Sequence, residues 1–129
     1  MKIILLLLML GVFAKSPYDA KVTKIYDADT YTCDIELGLD IVLHNQKIRL
    51  LNINAPEMRG LEKLEGKLAR DYVRNLIFST ADSAVILDIT GKGKYGRWIA
   101  NVWIETKDTL MLINQHLVDQ KYAVKKIYK

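Results

Sequence analysis

The chain has 129 residues, which is the size of a single domain. Half of the residues are hydrophobic and 26% are charged, so the chain can form a compact core and extensive disorder is excluded. The formal net charge of +4 favours anionic partners such as nucleic acid or an acidic membrane surface. The single cysteine, Cys33, excludes an intramolecular disulfide and any cysteine-based metal site.

Residues 1–14 are predicted to be an export signal. One positive charge precedes Ile3–Phe13, an uncharged apolar run that is too short to span a bilayer comfortably. Small residues place the predicted cleavage after Ala14, and Ser16 is a second candidate. The alternatives are a buried N-terminal strand or an uncleaved anchor, and only an anchor would bring the protein to a membrane.

Residues 18–129 then form one domain, whose elements follow from the hydrophobic periodicity. The predicted elements are strands at Lys21–Asp27, Tyr31–Leu37, and Ile41–His44 with Lys47–Ile53 around a bend, a helix at 61–78, strands at Val85–Ile89 and Trp98–Ile104, and a helix at Leu110–Gln120 capped by Asp108 or Thr109. The first helix is predicted from an apolar stripe that is filled in by Ala69, Val73 and Ile77. The residues that recur along this stripe are Leu61, Leu64, Leu68, Tyr72 and Leu76. This order predicts a five-stranded barrel with helices packed on it.

Two carboxylates lie in the predicted turn Asp27-Ala28-Asp29-Thr30 between the first two strands. Carboxylates two residues apart at a bend can place oxygen ligands on a hard cation. The alternative is that aspartate is simply a good turn residue.

Arg49 lies in an apolar strand, where arginine is rarely buried unless it is paired or faces a cleft. Its fork of donors suits a phosphate, and Asn54 offers a carbonyl oxygen to a cation. Glu57 follows the end of the strand, where a carboxylate can orient or deprotonate water. An Arg49–Glu57 salt bridge at the sheet edge is the competing interpretation.

Two basic segments follow. Lys94-Tyr95-Gly96-Arg97 leads into the strand at Trp98, so Arg97 would project from a strand end, or the segment is an ordinary basic hairpin loop. The C-terminal tail carries several lysines, with Tyr122 and Tyr128 among them. It could track a nucleic-acid backbone, although a solvated tail is the simpler interpretation.

In this order and spacing, these clusters resemble the staphylococcal nuclease (thermonuclease) family over about residues 20–124. The resemblance implies an α+β fold with a five-stranded OB-fold barrel, and Ca²⁺-dependent hydrolysis of DNA and RNA. It implies that Asp29, Asn54 and the Ala55 carbonyl bind the metal. Glu57 would activate water, Arg49 and Arg97 would stabilise the transition state, and Lys94 and Tyr95 would line the nucleotide site.

Two positions differ from the best-known members of the family. Those members carry aspartate where this chain has Asn54, and glycine where it has Ala28. Asn54 keeps the oxygen ligand but loses a charge, on which Ca²⁺ affinity depends. The sequence therefore predicts an exported monomeric nuclease that acts on DNA, RNA or both, with no stable protein partner. The alternative is an inactive OB-fold nucleic-acid-binding module.

Overall fold

The computed structural model describes residues 16–127. The strands are β1 (Tyr18–Asp27), β2 (Thr30–Gly38), β3 (Ile41–Leu50), β4 (Ile53–Asn54), β5 (Ala84–Lys92), β6 (Trp98–Glu105), β7 (Leu110–Leu112) and β8 (Val124–Lys125), and the helices are α1 (Lys63–Phe78) and α2 (Ile113–Asp119). Five strands pair in the order β3-β2-β1-β5-β6, and a parallel pairing of β3 with β6 closes the barrel. The predicted α+β fold with a five-stranded OB-fold barrel is confirmed.

The barrel forms because alternate residues of its strands point inward. In β2, Tyr31, Cys33 and Ile35 are buried, while the residues between them are half-buried. Burial raises the pKa of the Cys33 thiol to about 12, which disfavours the reactive thiolate form. The interior is filled by branched aliphatic side chains such as Ile25 and Ile48, which suit a pleated surface.

The predicted bend in the third strand is a bulge within one continuous strand. Cys33 pairs with Gln46, whereas Ile35 pairs with Leu43, so the register shifts between these two pairs. Asn45 absorbs the extra residue with a positive φ of 56°, a conformation that asparagine tolerates better than most residues. The bulge increases the local twist of β3 and so helps it curve into the barrel.

Helix α1 lies where the sequence predicts it, preceded by a 3₁₀ turn at Gly60–Glu62, but it buries only the part of the predicted stripe formed by Ala69, Val73 and Ile77. Leu61, Leu64 and Leu68 are 106%, 71% and 56% exposed, whereas the buried face consists of Gly66, Ala69, Val73 and Ile77. Two apolar stripes adjoin each other on this helix. The face with the smaller residues packs inward because it lets the helix backbone approach its neighbours closely.

The second helix is shorter than predicted, and its predicted cap is wrong. Leu110–Leu112 pair with β6 as strand β7, so the helix begins at Ile113 and Leu112 occupies the cap position without a side-chain cap. The free edge of β6 supplied hydrogen-bond partners that periodicity alone does not show. Asn114 in this helix donates to the Leu51 and Ala100 carbonyls and accepts from the Val102 amide, at 2.9–3.2 Å.

The backbone of the described part of the C-terminal tail is anchored, while the side chains of residues 124–127 are exposed. Strand β8 pairs antiparallel with β4, and the Lys126 amide donates to the Asn52 carbonyl at 2.8 Å. The Tyr122 ring stacks on Tyr72 with 4.3 Å between ring centroids, so Tyr122 serves packing rather than base stacking. Tyr128 and the predicted leader lie outside the described residues. Within residues 16–127, no helix is long and apolar enough to cross a membrane.

Candidate active site on the outer face of the barrel

The turn between β1 and β2 presents a buried carboxylate to the segment that follows β3. Asp29 is 5% exposed, and its Oδ2 accepts a hydrogen bond from the Ala55 amide at 2.7 Å. The Thr30 hydroxyl donates to Asp29 Oδ1 at 3.0 Å. From inside the barrel, the Tyr31 hydroxyl donates to the Ala28 carbonyl at 2.8 Å. Ala28 does not adopt a positive φ, so alanine fits this turn without strain.

Arg49 extends from the outer face of β3 into the same region. Its Nη1 donates to the carbonyls of Leu50 and Ile53 and lies 3.4 Å from Asp29 Oδ2, and its Nη2 donates to Asn54 Oδ1 at 3.0 Å. The ion pair with Asp29 replaces the Arg49–Glu57 salt bridge that the sequence left open. These contacts use three of the five guanidinium donors, so two are left for a ligand.

Glu57 lies just beyond β4 and is exposed. Its backbone amide donates to Glu62 Oε2 at 2.9 Å, which fixes the main chain at this position. In the described part of the chain its carboxylate has no hydrogen bond or ion pair with another residue. That carboxylate is therefore available to a water molecule or a substrate.

The β5–β6 hairpin brings basic side chains to the same region, because β6 pairs with β3 beside Arg49. Gly96 takes a positive φ of 78°, and the Gly93 amide donates to the Arg97 carbonyl at 2.8 Å, which closes the turn. The Arg97 guanidinium lies 5.9 Å from the centroid of the exposed Tyr95 ring. Among the described residues it has no hydrogen-bond or ion-pair partner, in contrast to Arg49.

These elements surround one open cleft of about 610 Å³. Its lining includes every residue singled out from the sequence: Asp29, Arg49, Asn54, Ala55, Glu57, Lys94, Tyr95 and Arg97. Asp27 and Thr30 from the same turn as Asp29 also line the cleft. Tyr26 and Arg59 line it as well, although neither belonged to a sequence motif. Two guanidinium groups and a free carboxylate thus line the same cleft.

A family model described as Staphylococcal nuclease homologue matches residues 47–129, which is more than half of the chain. The chain belongs to this family. The match contains Arg49, Asn54, Glu57 and Arg97, whereas the turn with Asp29 precedes it. A comparison with curated proteins gives no match.

Membership of the Staphylococcal nuclease homologue family points to a nuclease or to a nucleic-acid-binding OB-fold module. The electrostatics of the cleft are in keeping with a ligand that carries charge. The pKa of the Asp27 carboxyl is raised to about 7. The largest cause is desolvation by burial, followed by a hydrogen bond with the Asp29 side chain and by repulsion from its charge. Near neutral pH, Asp27 and Asp29 together therefore bind a proton that two separate aspartates would release.

The oxygen donors in the cleft fit a hard cation. Asp27, Asp29 and Asn54 supply side-chain oxygens, and no cysteine or histidine lines the cleft, so its chemistry suits Ca²⁺ or Mg²⁺ better than Zn²⁺. A cation beside the two aspartates would relieve the repulsion that the shared proton now relieves. In residues 16–127, no group of three or more Asp, Glu, His or Cys side chains is arranged to hold a metal ion.

Sequence reasoning missed Gly66, which determines where Glu57 lies. A Cβ atom built on Gly66 would meet the Glu57 carbonyl oxygen and carbon at 2.2 and 2.8 Å, and the Pro56 carbonyl oxygen at 3.0 Å. Helix α1 therefore packs directly on the backbone that carries Glu57, and only glycine permits this approach. Its presence on the buried face of an amphipathic helix was the signal that could have identified it.

Gly66→Ala is expected to destabilise the protein, although glycine-to-alanine substitutions inside helices usually stabilise by about 0.5–1 kcal/mol. The new Cβ must displace backbone, and such overpacking typically costs about 1–3 kcal/mol. Urea unfolding and amide hydrogen exchange at Glu57 test this, with faster exchange expected as the Glu57–Glu62 hydrogen bond is strained. Gly91→Ala is the control, since its Cβ would meet nothing within 4 Å. Equal stability of the two variants would contradict the prediction.

Asp27→Asn is expected to stabilise the metal-free protein at pH 8 but not at pH values below about 4. The folded pKa of Asp27 is raised from 3.8 to about 7, so the folded state keeps a proton that the unfolded state releases. The free energy of unfolding therefore falls as pH rises from about 4 to 7. Asparagine stays neutral throughout and can still accept the Asp29 amide. Urea titrations in EDTA, with exposed Asp108→Asn as charge control, measure the difference; a pH-independent gain would refute this origin.

Proposed function

We propose that the chain is a Ca²⁺-dependent nuclease that hydrolyses phosphodiester bonds of DNA, RNA or both. One observation carries the proposal: the unpaired carboxylate of Glu57 lines the same cleft as the guanidinium groups of Arg49 and Arg97. A module that only binds nucleic acid needs the arginines, but a free carboxylate facing a polyanion would repel its ligand. The carboxylate is useful where water must be deprotonated.

In the proposed reaction, the Glu57 carboxylate takes a proton from a water molecule whose oxygen attacks phosphorus. A new P–O bond forms to that oxygen, the P–O bond to the leaving sugar oxygen breaks, and that oxygen takes a proton from solvent. Negative charge builds up on the non-bridging phosphate oxygens. Arg97 and the two remaining donors of Arg49 stabilise this charge, because they are positioned before the reaction begins.

Asp29, Asn54 and the Ala55 carbonyl are the residues that would hold Ca²⁺, with Asp27 beside them. When bound, the ion would supply positive charge to the phosphate oxygens. Asp29 is held for this role by the Ala55 amide and the Thr30 hydroxyl. Each carboxylate oxygen has a second lone pair beyond the one that accepts these hydrogen bonds. The predicted leader adds export from the cytoplasm to the proposal, and the protein is proposed to act as a monomer.

Glu57→Gln is expected to leave the fold intact and to lower kcat by about 10²–10⁴, the usual contribution of a general base. The substitution keeps the shape of the side chain and the backbone bond to Glu62, and it removes only basicity. Cleavage of single-stranded DNA, duplex DNA and RNA with Ca²⁺, with Mg²⁺ and with EDTA measures the effect. Glu36→Gln, exposed on β2, controls for the lost charge. Absence of cleavage by the parent protein would favour the binding-module alternative, and near-normal kcat in Glu57→Gln would remove the general base.

Arg97→Lys and Arg49→Lys are both expected to lower kcat about 10²–10³-fold, because lysine cannot reproduce a planar two-pronged phosphate contact. Their effects on stability should differ. Arg97 has no hydrogen-bonded side-chain partner in residues 16–127, so its variant should unfold at the parent's temperature, whereas Arg49→Lys loses three hydrogen bonds and should unfold earlier. Kinetics and thermal unfolding together test this. Full kcat in both variants would show that the arginines only attract the substrate.

Asn54→Asp is expected to lower the Ca²⁺ concentration needed for half-maximal activity. The added carboxylate increases the negative charge of the proposed metal ligands. Arg49 already donates to Asn54 Oδ1 and can donate to the new carboxylate in the same way. Asn52→Asp is the matched control, since it adds the same charge two residues earlier, at a positive φ that aspartate tolerates. An equal response of the two variants would show that Asn54 is not a metal ligand.

A further inference from the structure

A row of three side chains crosses the outer face of the barrel beside the cleft. Lys24 of β1 pairs with Thr32 of β2, and Thr32 pairs with Lys47 of β3. These residues lie side by side on adjacent strands, so we call them the lysine row. The two lysines are two strand spacings apart, about 10 Å at the backbone.

The lysine row continues the cleft along the strands. Thr30 pairs with Arg49, and both line the cleft. Thr32 and Lys47 each lie two residues from this pair along their strands. Because side chains two residues apart share a face of a strand, the row points the same way as the cleft, about 7 Å further on.

The lysines of the row carry charge that the protein itself does not neutralise. Lys24 and Lys47 are exposed, and in the described part of the chain neither side-chain ammonium group has an ion pair or hydrogen bond. The residues further along the strands, away from the cleft, are different. Asp34 Oδ2 lies 3.3 Å from His44 Nδ1, and Glu36 follows Asp34 on the same face of β2. On β2 and β3 the positive strip therefore begins at the cleft and ends at Asp34, and on β1 the exposed Lys21 pairs with Asp34 and balances its charge.

An aromatic ring lies between the row and the cleft on β1. Tyr26 follows Lys24 by two residues, is 63% exposed and lines the cleft. Cations that follow a backbone beside an exposed ring are the combination with which proteins hold single-stranded nucleic acid. A lipid surface would need apolar side chains beside the lysines, whereas the row contains Thr32.

We propose that the lysine row binds phosphates of a single-stranded nucleic acid beyond the bond being cut, while Tyr26 stacks on a base. This inference rests on the proposed function, because it extends the substrate out of the same cleft. The bounded length of the strip limits the gain to a few phosphates. Strands long enough to reach the row should bind more tightly than strands that fill the cleft alone.

The test compares Lys24→Gln/Lys47→Gln with a control of equal charge, Lys67→Gln/Lys107→Gln, whose lysines are exposed on α1 and in the β6–β7 connection. Binding in EDTA and cleavage in Ca²⁺ are measured for thymidine oligonucleotides of about 3 and about 20 nucleotides, below and above the usual span of an OB-fold site. Binding of the longer strand is measured over a range of salt concentrations.

The row variant should bind the longer strand several-fold more weakly than the control variant, and the slope of log K against log salt should shrink by about 0.7 for each lost phosphate contact. Its kcat/KM on the short strand should match the control. Equal binding and equal slopes in the two double variants would overturn the lysine row. If the parent cleaves neither strand, the nuclease proposal fails, and the binding arm still supports or overturns the row by the same criterion.

Discussion

The buried carboxylate of Asp29 is the constraint on which the cleft depends. It belongs to the β1–β2 turn, yet it accepts the amide of Ala55 and lies against Arg49. An unpaired charge at this depth would be strongly destabilising, so these contacts are required once the carboxylate is buried. By meeting that requirement, the chain brings together two segments that lie more than twenty residues apart in sequence.

Arg49 makes comparable fixing contacts at the end of β3. Its guanidinium caps the carbonyls of Leu50 and Ile53 and holds the side chain of Asn54. The short strand β4 that carries Asn54 is also paired with β8 from the C-terminus. The metal-ligand candidates are thus fixed from both sides, while Glu57, one turn of chain later, keeps its carboxylate free. In the proposed reaction this arrangement suits water activation, because the oxygen donors are held in place before the reaction begins and the Glu57 carboxylate is free to take a proton.

The charge of the cleft is divided between its two walls. The β1–β2 turn is acidic, to the point that Asp27 holds a proton near neutral pH. The β5–β6 hairpin and β3 are basic, through Lys94, Arg97 and Arg49. In the proposed reaction, a phosphodiester would contact the basic residues and a cation would contact the acidic ones. The lysine row lengthens the basic wall in one direction and explains part of the net positive charge that composition alone could not place.

The sequence by itself determined the barrel and the two helices, because alternation and period are local properties. The family resemblance named most, but not all, of the charged residues that line the cleft. The sequence could not place the ends of elements that depend on distant partners. Leu110–Leu112 became a strand because β6 offered a free edge, and Leu61, Leu64 and Leu68 stayed exposed because α1 packs through Gly66. The tertiary structure alone decided that Arg49 pairs with Asp29 rather than with Glu57. That choice depends on which charges are buried together, and burial is a property of the whole fold rather than of any segment of it.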